Sequence, residues 1–366
     1  MNGKQSQKAG DNSQQMQVEN IIVNGISEER VREICHEVAD RAIADNTHEA
    51  NDVATKKIER FVDLLLPRIQ RIENDYQSFS DPAFQVLLRK AQLTAACTER
   101  EDDYKLLSEL LVHRIKNKSN IKKKASISKA VEIIDQIDDD SLCGLTLFHT
   151  MSNFVPCAGI IIGGLTLLDN SYKKLNPDCL PTDNSWIDNL SILGAATTIP
   201  FSELKKFEDF LSEVLDGYVC VGIKKDSPEY SIALEKLSLC KLERMIDNNE
   251  LLDGYVRLLV ACKSHIHTLH FFSNELIDGK MQKVERQLSD AQQQCLSDIF
   301  DMYSKDQNLK NNVLTTFKQF LNSFDSIKKV CTWWNSINPN VRLTSIGKVI
   351  AHANAKNIDN SLPDLD

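Results

Sequence analysis

Hydrophobic positions recur at helical spacing along most of the chain. After Ser27, the apolar residues Val31, Ile34 and Val38 follow three or four residues apart, and residues 26–66 contain neither glycine nor proline. This spacing puts apolar side chains on one face of a helix, and a serine is well suited to cap its first turn. We therefore predict one long helix here, or two helices that break near the polar stretch DNTHEAND.

Further helices follow after a second start signal. Asp81 precedes Pro82, and proline is favoured at the first position of a helix. Three apolar faces come after it, each repeating at helical spacing. In chain order they are Phe84, Leu87, Leu88 and Ala91; then Tyr104, Leu107, Leu110, Leu111 and Ile115; then Val131, Ile134 and Ile137.

The second half of the chain also favours helices. Leu204, Phe207, Leu211 and Val214 predict a helix that ends at Gly217, and the β-branched run YVCVGI at 218–223 predicts a short strand. Residues 228–303 are predicted to be helical, with a loop or kink near Gly279. Later apolar positions continue the helical pattern; they are Leu314, Phe317, Phe320, Leu321, Phe324, Trp333 and Trp334.

One strand is predicted before the first helix, in VENIIVNGISEERV at 18–31. Ile21, Ile22 and Val23 alternate between two faces, and the backbone groups of a lone strand need a partner. The partner is either the YVCVGI strand or a second copy of the chain. We favour the second copy, so these three residues are the predicted self-association site.

These patterns predict a mainly α fold: a multi-helix body with a short N-terminal strand and at most one or two further short strands. The expected organisation has four parts. They are a disordered tail at 1–17, an N-terminal strand plus helical domain at 18–155, a mostly helical domain at 156–355, and a flexible tail at 356–366.

The segment from Ser141 to Leu168 lacks Asp, Glu, Lys and Arg, and its length could span a bilayer. Pro156 interrupts it, and His149, Ser152 and Asn153 are polar. We therefore predict a buried helix, a break at Pro156 and a second buried segment. No membrane association is expected.

Composition narrows the classes of function. The net charge is −9, so the chain as a whole has no bias toward nucleic acid. Ten cysteines are scattered without a C-x-x-C pair, which fits thiols in a reducing cytoplasm. Residues 1–17 have no apolar segment typical of a secretion signal.

The sequence predicts no catalytic residue, no metal site and no cofactor. Phosphate-binding, dinucleotide-binding and serine-hydrolase glycine motifs do not occur. The densest cluster of metal-ligating residue types is CKSHIHTLHFF, with Cys262, His265, His267 and His270. On one helix these side chains point in different directions, so we expect ordinary surface or core residues.

One stretch is strongly basic, and no acid occurs between Glu109 and Glu132. Its field could meet phosphates or an acidic protein, although a solvated helix connection explains it as well. The basic residues are Arg114, Lys116, Lys118, Lys122, Lys123, Lys124 and Lys129.

Three parts of the chain resemble an uncharacterised bacterial family. They are NIIVNGISEERVREI; then DPAFQVLLRKAQ with LLSELLVHRIKNK and ISKAVEIIDQIDDDSLCGLTLFHTM; then WWNSINPNVRLTSIGKVIAHANAK. The resemblance implies a bacterial cytoplasmic protein encoded among mobile-element or phage-defence genes, and it implies no active site. The terminal LTSIGKVIAHAN is also similar to helix ends in abortive-infection and winged-helix proteins.

Three hypotheses follow. The first is a non-catalytic helical interaction protein that forms a homo-oligomer and has a partner encoded by a neighbouring gene. The second is a nucleic-acid-associated regulator that uses the basic stretch and a winged-helix-like C-terminus. The third is an enzyme whose site has no recognised motif.

Overall fold

The computed structural model describes residues 27–43, 48–73, 76–117, 120–277 and 280–363. The predicted strand at Ile21, Ile22 and Val23 lies outside these ranges, as do residues 1–17. By its internal contacts the chain divides into two compact units, Met1–Cys97 and Thr98–Asp366.

In its described residues, the first unit contains three α-helices. They are α1 (Glu28–Ile43), α2 (His48–Gln70) and α3 (Pro82–Cys97), with a short 3-10 helix at Gln77–Ser80. Ser27 caps α1 by accepting from the Arg30 amide, and the Asp81 carboxylate accepts from the Ala83 amide at the start of α3. The two predicted helix starts are therefore confirmed, and the 27–66 pattern forms two helices.

The first unit has its own apolar core. Each helix pair makes contacts, and the largest fully buried side chains include Phe61 and Leu65 of α2 and Phe84 of α3. One polar bond crosses this core, from Gln92 Nε2 to the Cys35 carbonyl at 3.1 Å. It satisfies part of a completely buried amide between α3 and α1.

The second unit begins with a helical body. It contains α4 (Glu101–Lys116), α5 (Ile121–Ile133), α6 (Asp139–Asn153), α7 (Ile161–Lys174) and α8 (Ser185–Ile192). The last helix, α14 (Ser345–Ile358), packs on α4, α5 and α6. This packing crosses the boundary expected between residues 155 and 156.

Thr344 and Gly347 explain how α14 enters this packed position. The Thr344 hydroxyl accepts from the Gly347 amide, which is the usual role of a capping threonine. A side chain at Gly347 would overlap the Ala195 carbonyl, so the glycine allows two backbones to approach closely. Val349, Ile350 and Ala351 of α14 are then buried.

The first part of the segment 141–168 is buried, as predicted. The second part is not buried throughout, because Ile160, Ile162 and Leu167 are each about half exposed. Helix α6 ends at Asn153, α7 starts at Ile161, and Leu145, Leu147 and Leu165 are buried. The α6 cap is Asp138, which accepts from the Ser141 amide. Within the described ranges, no helix is both long and apolar enough to cross a bilayer.

The rest of the second unit mixes helices with small antiparallel sheets. Its helices are α9 (Phe207–Val214), α10 (Pro228–Leu239), α11 (Asp290–Asp301), α12 (Gln307–Leu321) and α13 (Asp325–Ser336). Its strands are β1 (Ala196–Thr198), β2 (Ile223–Lys224), β3 (Ile246–Asn248), β4 (Tyr255–Leu258), β5 (His270–Ile277), β6 (Lys280–Gln287) and β7 (Val341–Leu343).

Three sheets result, with orders β1-β7, β2-β4-β3 and β5-β6. Helices α10 and α11 cover the three-stranded sheet through Leu237, Leu258, Leu296 and other apolar residues. The mainly α class is confirmed, but the strands are more numerous than the one or two expected. The prediction of helix across 228–303 was wrong, because four strands lie inside that range.

The YVCVGI prediction needs a correction as well. Only Ile223 of that run lies in a strand, while Tyr218 belongs to a turn. The run is apolar because it is buried from Tyr218 to Ile223, and burial alone does not distinguish a strand from a buried loop.

Two of the ten cysteines are joined. Cys143 of α6 and Cys179, in a 3-10 helix after α7, form a disulfide across 36 residues. The expectation of ten thiols is therefore corrected to eight, five of which are buried.

Candidate functional site

Three histidines from three helices meet in the core of the second unit. His113 of α4, His149 of α6 and His352 of α14 are each at most 5% exposed. Ring centroids are 5.5 Å apart for His113 and His352, and 5.8 Å apart for His149 and His352. The packing of α14 on α4 and α6 brings these rings together; we call them the histidine cluster.

The cluster has few polar partners. The Asn153 amide lies 3.2 Å from His149 Nδ1, and the Glu109 carboxylate lies 3.3 Å from His113 Nε2. In the part of the chain that the structure describes, His149 Nε2 and both ring nitrogens of His352 make no hydrogen bond. These nitrogens lie in an apolar setting, with the Phe154 ring about as close as the neighbouring imidazoles.

Burial determines the charge state of the cluster. It lowers the pKa of His149 to about 4, and the nearby His352 adds to the effect. It likewise lowers the pKa of His352 to about 4, with His113 as the next cause. Both rings are therefore neutral at pH 7 and can take up a proton only at the expense of core packing.

The chemistry available to the cluster is proton binding. The structure describes all three histidines, yet among described residues no group of three His, Cys, Asp or Glu side chains converges as metal ligands do. Phe154 also lines a groove of about 860 Å³ with Pro156, Cys157 and Leu168, so the cluster lies close to a surface recess.

Sequence reasoning missed the histidine cluster. The three residues are isolated in the chain, and each sits in an apolar helical pattern where it looks like an ordinary core position. The only available signal was that HRIK, LFHTM and IAHAN each place a histidine within a strongly apolar helix.

The histidine-rich run singled out earlier does not form a site. Cys262 is buried, residues 263–268 form a 3-10 helix, and His265, His267 and His270 are exposed. The structure therefore places these side chains apart from Cys262, in an ordinary surface segment.

The basic stretch is only partly a surface patch. Arg114 is 7% exposed and belongs to the packed face of α4, so it does not present its charge to solvent. Lys122, Lys123 and Lys124 lie in the first turn of α5, after the Asn120 cap. Lys129 is exposed and pairs with Glu132 at 3.3 Å, and Lys118 lies outside the described residues.

The lysines at the start of α5 lie at the positive end of a helix dipole, where cations are unfavourable. Lys116, at the end of α4, is exposed, and its positive charge repels that of Lys356 in α14. Burial first, and then the like charge of Lys116, lowers the pKa of Lys356. Positive charge is therefore concentrated around the ends of these helices.

An ion pair between a buried arginine and a solvent-accessible glutamate fixes the start of α7. Arg257 of β4 is fully buried, and its guanidinium donates to the Gly159 carbonyl at 2.8 Å and to Glu250 at 3.3 Å. The Glu250 carboxylate also accepts from the Ile161 amide at 2.9 Å. Glu250 thus neutralises a buried charge and caps a helix whose own sequence offers no capping side chain.

An unusual exposed aromatic residue follows β1. Phe201 is fully exposed and has a φ of 57°, in a turn after Pro200. The turn is held on both sides, because the Ile199 amide donates to the Asn340 carbonyl at 2.9 Å and Asn340 Nδ2 donates to Ser202 Oγ at 3.0 Å. Ile192 and Ile199, nearby in sequence, are also exposed.

The fold and these features define a mainly α-helical protein with small antiparallel sheets. A protein-family model matches residues 25–365, and the chain belongs to that family, which is uncharacterised. No curated protein matches the chain significantly. No solved structure matches it significantly either.

Proposed function

We propose that the chain is a non-catalytic helical interaction protein that self-associates in the bacterial cytoplasm, in a phage-defence or mobile-element setting. The setting rests on the sequence resemblance, and the eight free thiols fit a reducing compartment. The observation that carries the interaction role is the turn that presents Phe201.

Single exposed apolar residues are common and need no function. Phe201 differs because its backbone is left-handed, which costs a non-glycine residue about 1–2 kcal/mol. Glycine would fill this position of the turn at lower cost. A rigid, exposed phenyl group is the kind of anchor that fills a pocket on a partner.

The test replaces Phe201 with glycine. We expect Phe201→Gly to raise the dissociation constant of the wild-type oligomer at least tenfold, because truncation of an aromatic anchor costs about 2 kcal/mol or more. The same change should raise the free energy of unfolding by roughly 1 kcal/mol, since the strain is relieved. Light scattering over a concentration series and urea unfolding measure the two effects.

The matched control is Leu239→Gly, at an apolar residue that is 78% exposed at the end of α10. It should leave the mass unchanged. A wild-type protein that stays monomeric throughout the concentration series contradicts the proposal.

The predicted strand at Ile21, Ile22 and Val23 remains a second route to self-association. Ile22→Pro removes one backbone donor and fixes φ, so it should lower the mass without loss of helical circular dichroism. An unchanged mass would exclude this strand as the contact.

The second candidate function is nucleic-acid association, favoured by the lysines at the positive end of α5. Changing Lys122, Lys123 and Lys124 to Glu should abolish binding to a DNA duplex and flatten its salt dependence. Changing the exposed Lys224, Lys305 and Lys310 to Glu alters the net charge equally and serves as the control. If the wild type shows no binding at low salt, this candidate fails.

A further inference from the structure

The β5–β6 hairpin has two long strands and no third. Its register runs from His270 opposite Gln287 to Ile277 opposite Lys280, a length of about 26 Å at 3.3 Å per residue. Among the described residues, each of these strands pairs only with the other. A two-stranded ribbon is marginal in water, and three or more strands are needed for independent stability.

The two edges of the hairpin differ in composition. Strand β6 carries four charged residues, Lys280, Lys283, Glu285 and Arg286, and charges of this kind, lysine above all, keep edge strands from pairing with other chains. Strand β5 carries one charged residue, Glu275, and has no proline. Its apolar residues are Phe271, Phe272, Leu276 and Ile277.

We infer that β5 pairs edge to edge with β5 of a second copy of this chain. Two antiparallel copies of one strand are related by a two-fold axis, so the same unprotected edge meets itself and the contact closes at two subunits. The result is a four-stranded sheet in the order β6-β5-β5-β6. The apolar strands are then internal, and the charged strands form its edges.

This inference rests on the proposed self-association and adds a second contact to the one proposed at Phe201. The hairpin favours a second copy of the chain as the partner of β5. Pairing of two copies brings the number of strands in the sheet from two to four and covers the β5 edge of both copies. In an antiparallel strand successive residues direct their backbone groups to opposite sides, so about half of the β5 amides face the new partner.

The experiment compares two double variants of the full chain. Ser273→Lys with Asn274→Lys places charge in the middle of β5, whereas Met281→Lys with Gln282→Lys places the same charge on β6, where both residues are exposed. We expect the β5 variant to raise the dimer dissociation constant at least tenfold and the β6 variant to change it less than twofold. Circular dichroism and the thermal midpoint report whether either variant still folds.

Hydrogen exchange of the wild type gives an independent measurement. The outward amides of β5 should be protected above the dissociation constant and lose protection on dilution below it, while the outward amides of β6 exchange equally fast at both concentrations. This result needs no substitution, so it holds even if the β5 variant does not fold.

The outcomes separate this inference from the proposed function. A monomeric wild type overturns both. An oligomer that responds to Phe201→Gly, but whose β5 amides show no concentration-dependent protection, overturns the β5 contact alone. If deletion of residues 1–25 removes the β5 protection, the occupant is the N-terminal segment, and the β5–β5 pairing is overturned.

Discussion

At the scale of single residues, the environment of a side chain determines its role more than its type does. The molecule has two groups of histidines, one exposed around Thr268 and one buried between α4, α6 and α14. In the buried group, burial lowers the pKa of His149 and of His352. The sequence drew attention to the exposed group because its members are adjacent in the chain.

The histidine cluster makes stability depend on pH in a defined direction. The pKa of His149 and of His352 is about 4 in the folded protein, below the usual 6.5 of an unfolded chain. The unfolded state therefore binds more protons between these values, so stability is present above pH 6.5 and is lost as the pH falls toward 4. From pH 7 to pH 5 we expect the free energy of unfolding to fall by about 2 kcal/mol for each of these two histidines.

Urea unfolding at pH 7 and pH 5 measures this loss. His149→Gln should halve the cluster's contribution to this loss of unfolding free energy, because only one of the two histidines with a lowered pKa remains. The control variant His265→Gln, at an exposed histidine, should lose as much unfolding free energy between pH 7 and pH 5 as the wild type does. An equal loss in both variants would show that other groups control the pH dependence.

At the scale of secondary structure, two adjacent glycines of α7 have opposite expected effects. A side chain at Gly164 would overlap the Tyr218 hydroxyl, which donates to the Ala158 carbonyl, whereas one at Gly163 would meet its nearest atom at 3.7 Å. We expect Gly164→Ala to destabilise the protein by roughly 1–3 kcal/mol through overpacking. Gly163→Ala should stabilise it by up to about 1 kcal/mol, because alanine is the better helix former.

Thermal unfolding of both variants provides the check, each serving as the control for the other. If both substitutions raise the midpoint, Tyr218 has room to move, and the close approach to α7 is not required for the fold.

The helices could be predicted well from the sequence, and the strands could not. Helices such as α3 and α4 carry their own periodicity and start signals, so local residues specify them. The β1 and β7 strands have three residues each and pair with each other from distant parts of the chain, so pairing rather than composition forms them. The hairpin was the avoidable error, since Asp-Gly at 278–279 between two runs is a strong turn signal.

The candidate site was less predictable than the fold. His113, His149 and His352 come together because α14 packs on α4 and α6, across more than two hundred residues of chain. Arg257 and Glu250 likewise have distant partners, because Arg257 donates to the Gly159 carbonyl and Glu250 accepts from the Ile161 amide. No local sequence pattern indicates either contact.

At the scale of the whole molecule, the histidine cluster belongs to one compact unit. All three histidines, and the helices that bury them, lie within Thr98–Asp366. We expect the fragment 98–366 to unfold cooperatively and to keep the pH dependence of the full chain. A fragment without a cooperative transition would show that the second unit depends on the first for its stability.

The cap on α7 has a consequence for the order in which the chain is synthesised. Glu250 lies 89 residues after the Ile161 amide that it accepts from. At an elongation rate of about 5–20 residues per second, the start of α7 leaves the ribosome roughly 4–18 s before its cap exists. During that interval the apolar IIIGGLTLL segment has an unsatisfied helix start, and it becomes a natural target for a chaperone that binds nascent chains.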